Sequence, residues 1–393
     1  MSDDLRVAVV GGGIGGLVLA IALRRHGIDV TVFEQAGEHR EVGAGVALSG
    51  NATKLLARLG IDGALDAVSI QPSELMFRRW DDGRVIAAHP IAKGGWYRDA
   101  VGAPYYGVHR VDALRVLAEA VDPGIVRLGC RAVGVRDGPR QALVEFDGGD
   151  TAAAHVVVGA DGVHSVVRRH VAGANAAGVY SGTIGYRGLA PVEDLPSLPD
   201  ATPLQFWAGP GRHLLHYSIA GGRIVNFLAV VRQAQWTRDT WSEPCSVEDA
   251  VDAFEGWHPA VTEMVGAVEE MTRWALHDHA PLDRWTEGHV ALLGDAAHAM
   301  LPHQGQGANQ TIEDAVLLAN LLAGASPRDA PAALRRYEDL RRPRARRVQR
   351  WSRMVADRLH LPDGQAARAR DAGLETVADD IGWIHRYDVE QVA

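Results

Sequence analysis

The sequence predicts an α/β fold, and three observations support this prediction. First, a short apolar and β-branched stretch at residues 7–10 is followed by a glycine-rich turn and a helix-like segment at 17–27. Second, residues 29–34 have the pattern of another strand, which ends in an acidic residue. Third, residues 289–324 return to strand, loop and long helix after a middle region of alternating strands. Short apolar strands that alternate with helices are typical of a parallel sheet covered on both faces.

The first turn carries the pattern G-x-G-x-x-G at Gly11, Gly13 and Gly16. Such glycines permit a tight turn and let the backbone approach a pyrophosphate, which the free N–H groups at a helix N-terminus attract. Glu34 ends the second strand, 18 residues after Gly16, where an acid can bind a ribose hydroxyl. Strand, glycines, helix, strand and acid together predict a dinucleotide-binding unit at the start of the chain.

Two other interpretations of the N-terminal segment fit less well. Residues 7–23 carry no charge, but a membrane span needs about 20 apolar residues, and glycines interrupt this run. A secretory signal needs a positive segment in front of its apolar part, whereas Asp3 and Asp4 precede the run. The sequence therefore predicts no membrane association, and we expect a cytoplasmic protein.

The composition argues against further classes of protein. The chain of 393 residues has a net charge of −9, whereas a nucleic-acid-binding protein needs a basic surface, so we expect no such partner. Cys130 and Cys245 are the two cysteines, and their spacing predicts neither a metal site nor a redox pair. The arginine-rich segment 335–350 has the pattern of an amphipathic helix with one solvated face.

The middle of the chain predicts a second, sheet-rich unit. Residues 75–88 have the pattern of a hairpin around Asp82 and Gly83, and alternating strand patterns run from about 180 to 280. The dinucleotide-binding unit is therefore expected to be discontinuous. The predicted parts are a dinucleotide-binding domain at 1–70, 101–175 and 285–330, a substrate domain at 71–100 and 176–284, and a C-terminal helical segment at 331–393.

Three motifs in a fixed order resemble those of one enzyme family. They are GGGIGG at 11–16, GADGVHSVVR at 159–168 and GDAAHAMLPHQGQGANQTIEDA at 294–315, with weaker matches at 40–52 and 109–114. The chain resembles the single-component (class A) FAD-dependent aromatic hydroxylases, in the branch of salicylate hydroxylase, 3-hydroxybenzoate 6-hydroxylase and 6-hydroxynicotinate 3-monooxygenase. The resemblance implies a discontinuous Rossmann-like FAD-binding domain with an inserted sheet-rich substrate domain and C-terminal helices.

The resemblance also implies a function. The enzyme would consume NADH or NADPH and O2, and would hydroxylate a small phenolic or N-heteroaromatic acid through a flavin C4a-hydroperoxide. FAD would be bound and the nicotinamide would dock transiently, which agrees with the single dinucleotide pattern in the sequence. The alternatives are a sister monooxygenase for a larger secondary metabolite or antibiotic, an FAD-dependent reductase or dehydrogenase without oxygen insertion, and a flavin-binding regulator. We expect a monomer or a homodimer.

The resemblance assigns residues to the cofactor. Asp295, after an apolar strand, would contact the ribityl or pyrophosphate part of FAD. N–H groups at the start of the helix after 305 would face the flavin N1–C2=O edge, where reduced flavin carries negative charge. Asp161 would touch FAD, with a local turn cap as the alternative. The expected cofactor-binding residues are Gly11, Gly13, Ile14, Gly15, Gly16, Glu34, Gln35, Arg40, Gly45, Val46, Arg110, Asp161, Gly162, Asp295, Gly305, Gly307, Ala308 and Asn309.

The substrate is expected between the flavin and the inserted sheet. A base that takes the phenol proton makes the ring carbon more nucleophilic, and histidine suits this task near neutral pH. His213 matches an active-site histidine of relatives and is the expected base. Strand alternation places His213 and Tyr217 on one face and His216 on the other, so the first two are expected to face one cavity.

Three further residues complete the predicted site. His303 and Pro302, in the segment LPHQGQG, are expected beside the flavin ring. Arg187 is a candidate to bind a substrate carboxylate through two hydrogen bonds, with a salt bridge on the sheet surface as the alternative. The expected catalytic residues are His213, His303, Tyr217 and Pro302, and the expected substrate-binding residues are Arg187, His213 and Tyr217.

Overall fold

A computed structural model describes residues 4–37, 44–92, 95–173, 178–237 and 240–392. We number its strands and helices in chain order. The strands are β1 (Arg6–Val10), β2 (Asp29–Phe33), β3 (Gly45–Leu48), β4 (Ser69–Ile70), β5 (Glu74–Arg79), β6 (Val85–Pro90), β7 (Tyr106–His109), β8 (Val126–Arg127), β9 (Ala132–Arg136), β10 (Ala142–Phe146), β11 (Thr151–Ala154), β12 (Val156–Gly159), β13 (Gly178–Pro191), β14 (Leu204–Gly209), β15 (Arg212–Ile219), β16 (Ile224–Arg232), β17 (Ser242–Cys245), β18 (Met271–His279), β19 (Thr286–Glu287) and β20 (Val290–Leu292).

The helices lie between these strands and at the C-terminal end of the chain. They are α1 (Ile14–Arg25), α2 (Gly50–Arg58), α3 (Asp62–Val68), α4 (Trp96–Val101), α5 (Arg110–Glu119), α6 (Val166–Ala172), α7 (Val247–Asp252), α8 (Pro259–Gly266), α9 (Asp295–His298), α10 (Gly307–Leu322), α11 (Ala330–Leu359), α12 (Gln365–Leu374) and α13 (Val377–His385). A single 3-10 turn, Pro302–Gln304, connects α9 to α10.

Six strands form the first sheet in the order β19-β20-β12-β1-β2-β8. β1 pairs in parallel with β12 and β2, and β12 pairs in parallel with β20. The valines of β1 and β12 are buried, as expected where helices cover both faces of a parallel sheet. The predicted α/β fold is confirmed. The strands of this sheet come from three separate stretches of the chain. The exact domain boundaries stay a prediction.

Helix α1 packs closely on α10. Its residues from Ile14 to Leu23 are all buried, which explains why its sequence is apolar on every side. A Cβ on Gly15 would lie 2.4 Å from Thr311 Cγ2 in α10 and 2.7 Å from Leu293 Cδ2. Gly15 therefore sets the short distance between the two helices.

The eight-stranded sheet has the order β17-β18-β13-β16-β15-β14-β5-β6. The predicted hairpin at 75–88 is confirmed as β5 and β6, and β5 pairs in parallel with β14. One face of the sheet packs against α7 and α8 through Trp207, Leu214 and Phe254. The opposite face carries Leu215 and Tyr217. The predicted alternation along β15 is thus confirmed.

Helix α11 is the predicted arginine-rich helix, but the prediction that its arginines form a solvated face is only partly right. Arg341 is completely buried. Its Nε lies 2.7 Å from Asp314 Oδ1, and Nη1 also pairs with Glu313; both acids are buried in α10. Arg344 adds a pair to Glu313, with Nε 2.6 Å from Oε2. Charged groups therefore join α11 to α10 inside the protein.

Two small antiparallel sheets, β3-β7-β4 and β11-β10-β9, complete the architecture. The first connects the six-stranded sheet to the eight-stranded one, because β3 adjoins β15 and β16 through Gly45. Within the described ranges, no helix combines the length and the apolar character that a membrane span requires.

Candidate active site

The glycine loop after β1 is tightly packed on one side and open on the other. Gly11 has a φ of +106°, and a Cβ on it would lie 2.4 Å from Ala160 O. A Cβ on Gly16 would lie 2.0 Å from Gly11 O, but one on Gly13 would meet nothing within 4 Å. Helix α1 begins after Gly13 without a side-chain cap, so its first N–H groups have no partner inside the helix. The open side of the loop can receive an anion.

Glu34 stabilises this loop from the end of β2. Its Oε2 accepts a hydrogen bond from the Gly12 N–H at 2.7 Å, and its Oε1 accepts one from the Ala36 N–H at 2.8 Å. The carboxylate remains half-buried, and Gln35 beside it is exposed. Because each carboxylate oxygen accepts more than one hydrogen bond, Glu34 can hold the loop and a ribose hydroxyl together.

A carboxylate and a helix N-terminus meet next to this loop. Asp295 follows β20, is exposed, and has no hydrogen-bond partner among the described residues. A Cβ on Gly307 would lie 3.8 Å from Asp295 Oδ1, so the start of α10 adjoins this acid. The residue before α10, Gln306, makes no side-chain cap, which leaves the N–H groups of Gly307 and Ala308 without helical partners. Asp295 therefore provides a hydrogen-bond acceptor for hydroxyl groups, and the start of α10 provides N–H donors for a negatively charged group.

Asp161 uses its carboxylate within its own loop. Oδ1 accepts a hydrogen bond from Ser165 Oγ at 2.6 Å, and Oδ2 accepts one from the Val166 N–H at 2.7 Å. It therefore caps α6, which is the alternative given above, and its burial raises its pKa. Gly162 adopts a φ of +72° that favours glycine. Contact of Asp161 or Gly162 with a cofactor stays a prediction.

Asn309 fastens the turn before α10 to β3. Its Nδ2 donates to Ala47 O at 2.9 Å and to Gly305 O at 2.6 Å, and its Oδ1 accepts from the Ser49 N–H at 2.8 Å. The side chain is completely buried, so it positions the turn. The backbone N–H of Asn309 is the group that stays predicted at the flavin.

Gly45 allows β3 to lie directly on the inserted sheet. Its N–H donates to Asn226 Oδ1 at 2.7 Å, and a Cβ on it would lie 2.9 Å from Tyr217 Oη. Val46 follows in the same strand and pairs with β7. Arg40, also predicted at the cofactor, lies outside the described residues.

Arg110 and Arg187 lie close enough to influence each other. Arg110 begins α5, and its N–H donates to Ala44 O at 3.1 Å. Part of the Arg187 side chain is accessible to solvent. Desolvation by the surrounding protein lowers the pKa of Arg187, the charge of Arg110 lowers this pKa further, and Tyr217 partly offsets the decrease. Arg187 makes no salt bridge with the described residues. Its guanidinium is therefore available to a ligand.

An apolar cavity lies between the inserted sheet and the C-terminal helices. Leu215 and its neighbours in the sheet form the floor, and α11, α12 and α13 cover the opposite side. One wall is the turn 303–305, and neither ring nitrogen of His303 nor Oε1 of Gln304 has a hydrogen-bond partner among the described residues. Tyr105 also lines the cavity. A flat, mostly apolar ring with a few polar substituents matches these walls.

His213 lies directly behind His303. The two ring centroids are 5.1 Å apart with the rings edge to face, and His213 Nδ1 is 2.7 Å from His360 Nε2. His213 Nε2 is buried without a partner among the described residues. His303 therefore lines the cavity. His213 and Tyr217 were expected to face the cavity together, but neither is among its lining residues, and both lie in the layer beneath. His216 lies on the other face, where Arg78 influences it.

Burial keeps these histidines neutral. Desolvation holds the pKa of His213 well below 6.5, and His303 and His360 lower it further. Desolvation lowers the pKa of His303 to about 4 and that of His360 to about 3. Each neutral imidazole keeps one nitrogen lone pair that can accept a hydrogen bond or a proton, but the same burial makes it a weaker base than a solvated imidazole. Burial also raises the pKa of Tyr217, so its hydroxyl stays protonated and can donate a hydrogen bond.

Helix α11 contributes to this site in a way that the sequence did not predict. Ser352 Oγ donates to Leu301 O at 2.6 Å, and Gln349 Nε2 donates to Ala299 O at 2.9 Å. These bonds hold the segment that leads to Pro302 and His303. The available signal was spacing, since the buried polar residues 349, 352 and 360 recur at helical intervals.

Comparison with known proteins agrees with this geometry. A family model described as FAD binding domain matches residues 4–352. The 3-amino-4-hydroxybenzoate 2-monooxygenase PtmB3 of Streptomyces platensis is 42% identical over 389 residues, which are 98% of this chain and 97% of the relative. The 6-hydroxynicotinate 3-monooxygenase of Bordetella bronchiseptica is 35% identical over 354 residues, with 90% and 91% covered. A salicylate hydroxylase substrate complex has a TM-score of 0.86 at 31% identity, with 99% and 97% covered.

Fold and site define a flavoprotein monooxygenase for hydroxylated aromatic acids. The chain belongs to the FAD-binding-domain family, and it is an FAD-dependent aromatic monooxygenase that uses NAD(P)H and O2. The predicted family is confirmed. The residues present fit the cofactor: the open glycine loop and two uncapped helix N-termini suit phosphate and flavin, and exposed Asp295 suits the ribityl hydroxyls.

Proposed function

We propose that this monooxygenase hydroxylates an aminohydroxybenzoate, of which 3-amino-4-hydroxybenzoate is the compound to test first. One observation carries the proposal: His303 and Gln304 line the mostly apolar cavity, and each has buried polar atoms without a hydrogen-bond partner among the described residues. Adjacent amino and hydroxyl groups on a benzoate ring would satisfy them, and a buried polar group gains most from a partner. The substrate named for the PtmB3 relative supports the same chemistry.

The proposed roles in the reaction follow from the positions of the side chains. Bound FAD supplies hydride acceptance and oxygen activation. His303 contacts the ring from the cavity wall. We keep His213 as the base for the ring hydroxyl, because its Nε2 has no partner among the described residues; the His303 ring in front of it must turn aside for the two groups to meet. Tyr217 donates a hydrogen bond towards the cofactor side, and Pro302 fixes the backbone at the start of the turn.

The proposed cofactor contacts keep the predicted set. Gly13 and the N-terminus of α1 receive the pyrophosphate, Glu34 a ribose, and Asp295 the ribityl chain. The N–H groups of Gly307 and Ala308 face the flavin edge where negative charge develops. We also keep the predicted domain boundaries, in which the inserted sheet and the C-terminal helices enclose the substrate.

The carboxylate of the substrate needs a cation. Arg358 lines the cavity, and its guanidinium has no hydrogen bond or ion pair with the described residues. Arg370 also lines it but binds Asp371, with Nη2 2.6 Å from Oδ1. Arg187 is not among the lining residues and lies beside Tyr217. We therefore assign the carboxylate to Arg358, with Arg187 as the competing candidate.

The function is tested with the purified holoenzyme. We expect 3-amino-4-hydroxybenzoate to stimulate NADH or NADPH oxidation and to gain one oxygen atom by mass spectrometry. Salicylate and 6-hydroxynicotinate serve as competing acids. Nicotinamide oxidation without an oxygenated product for every acid would contradict the proposal and favour a reductase.

Replacement of the two arginines separates the carboxylate assignments. Arg358→Met is expected to raise the Kd of 3-amino-4-hydroxybenzoate about 10- to 100-fold, because a hydrogen-bonded ion pair is lost. The Kd of the corresponding amide, measured by flavin absorbance, should not change. If Arg187→Met has this selective effect and Arg358→Met does not, the carboxylate belongs at Arg187.

A further inference from the structure

Three histidines from distant parts of the chain meet at one wall of the cavity. His213 lies in β15, His303 in the turn before α10, and His360 directly follows α11. A single pair among them is hydrogen-bonded, with His213 Nδ1 2.7 Å from His360 Nε2. His303 meets His213 edge to face, and neither of its nitrogens has a hydrogen-bond partner in the described structure. The path from His213 therefore leads to His360.

This hydrogen bond couples the proton positions of the two imidazoles, because one ring must donate to it and the other must accept. A neutral imidazole has one N–H and one acceptor nitrogen, and the partner of one nitrogen sets the state of the other. When His213 Nδ1–H donates to His360 Nε2, His213 Nε2 is left as the acceptor. Nε2 is the buried atom without a partner. His360 then carries its own proton on Nδ1.

We propose that His360 is a positioning residue that sets the tautomer of His213 and takes up a proton from it. The inference rests on the proposed function, because it concerns the path of the ring-hydroxyl proton. As that O–H bond breaks, an N–H bond forms at His213 Nε2. The His213 Nδ1–H bond then breaks, His360 Nε2 gains the proton, and His360 Nδ1 releases one to water.

His360 is the less enclosed of the two hydrogen-bonded imidazoles. His213 is fully enclosed, whereas His360 keeps 2% of its surface exposed and lies near the ion pair of Arg232 and Asp357, which are 3.3 Å apart. The titratable groups that influence His360 are His303 and Arg232, and both disfavour its charged form. In the proposed path His360 therefore does not hold a second proton but exchanges one at Nε2 for one at Nδ1.

The side chain of His360 can be replaced without removing its backbone contact. His360 O accepts a hydrogen bond from the Gly211 N–H at 3.0 Å, which orders the turn before β15. This bond does not involve the imidazole. Variants of the side chain therefore test the proposed role separately from the attachment of α11 to the sheet.

The test compares His360→Ala and His360→Gln as holoenzymes with 3-amino-4-hydroxybenzoate. We expect His360→Ala to lower the rate of hydroxylation about 10- to 100-fold, a part of what a general base contributes, with unchanged FAD content and substrate Kd. Added imidazole should restore the rate in His360→Ala. His360→Gln should retain more activity than alanine, since its amide oxygen accepts the Nδ1 hydrogen bond but cannot relay a proton.

The outcomes distinguish this inference from the proposed function. The matched control is His216→Gln, a buried histidine on the opposite face of β15, which should leave the hydroxylation rate unchanged. If His360→Ala hydroxylates at the wild-type rate with the wild-type pH profile, the inference is wrong. A loss that imidazole does not restore, together with a weaker substrate Kd, also overturns it. If the wild-type enzyme hydroxylates none of the acids, the proposed function itself fails.

Discussion

Glycines of the first loop show how one residue type serves two purposes. Gly11 and Gly16 are required by the fold, because a Cβ on Gly11 would overlap the backbone of Ala160 and a Cβ on Gly16 would overlap the backbone of Gly11. Gly13 is not, since a Cβ there meets no protein atom and its φ of −72° suits any residue. The fold alone does not require a glycine at position 13, and we propose that a bound ligand occupies the open space beside it.

Gly13→Ala separates cofactor binding from folding. We expect an unchanged melting temperature of the apoprotein and an FAD affinity weaker by about 1–3 kcal/mol, the usual cost of an added methyl group in a packed site. Flavin fluorescence titration measures the affinity. The control is Gly63→Ala, which also has open space around its Cα and should leave FAD binding unchanged. If Gly13→Ala binds FAD as tightly as the wild type does, the pyrophosphate does not lie at this position.

His213→Ala tests the proposed base. The variant should keep its FAD but lose about 100-fold or more of coupled hydroxylation, which is the contribution expected of a general base. Product yield per NAD(P)H oxidised is the measurement. His216→Gln, on the same strand but the opposite face, should keep its yield. An unchanged yield in His213→Ala would exclude this residue from proton transfer.

Candidate site residues could be proposed from the sequence where a motif contains them. The glycines, Asp295 and His303 stand in short patterns whose chemistry is local. His360 and Arg358 carry no such pattern, because their positions depend on where a helix of thirty residues ends against a distant sheet. His213 and His360 are 147 residues apart in the sequence, so their contact depends on the tertiary structure.

At the scale of elements, α10 and α11 are joined by buried charges. Glu313, Asp314 and Arg341 are all without exposed surface, and Asp314 also accepts the Gly294 N–H at 3.0 Å. Asp314 thereby holds the residue before Asp295. Removal of one partner would leave an uncompensated buried charge, which costs far more than an exposed ion pair contributes.

Arg341→Met is therefore expected to destabilise the protein by about 3–5 kcal/mol. Its melting temperature, measured by circular dichroism with FAD present, should fall clearly below that of the wild type. The control is Arg350→Met, because Arg350 lies on the same helix and is exposed. Equal melting temperatures for the two variants would show that the buried network contributes little.

The elements themselves were largely predictable from sequence, and their connections were not. β1, α1 and the hairpin of β5 and β6 follow from local periodicity and turn residues. The parallel pairing of β5 with β14 and the burial of Arg341 involve partners more than 25 residues away in the chain. Local patterns of hydrophobicity contain no information on such partners.

For the whole molecule, buried neutral histidines make stability depend on pH. Burial lowers the pKa of His303 to about 4 and that of His216, His360 and His385 to about 3. In the unfolded chain they titrate near 6.5, so between about pH 6.5 and 3 the unfolded state binds more protons. Stability is therefore complete above pH 6.5 and is lost as the pH falls below it.

Melting temperatures between pH 7.5 and 4.5 test this dependence. The wild type should lose stability steadily below pH 6.5, and His216→Gln should show a shallower decline, by up to about 1.4 kcal/mol per pH unit for the one proton removed. A melting temperature that does not change with pH, or an equal decline in the wild type and in His216→Gln, would show that buried histidines do not cause the pH dependence of stability.

The parallel pairing of β12 with β20 affects how the newly made chain matures. The central strand β1 has its neighbours β2 and β12 by residue 159, but β20 arrives at residue 290. Until the ribosome has synthesised β20, the valine-rich edge of β12 has no partner strand. Unpaired apolar edges invite aggregation during biosynthesis, so slow translation at low temperature or abundant chaperones should increase the yield of recombinant enzyme.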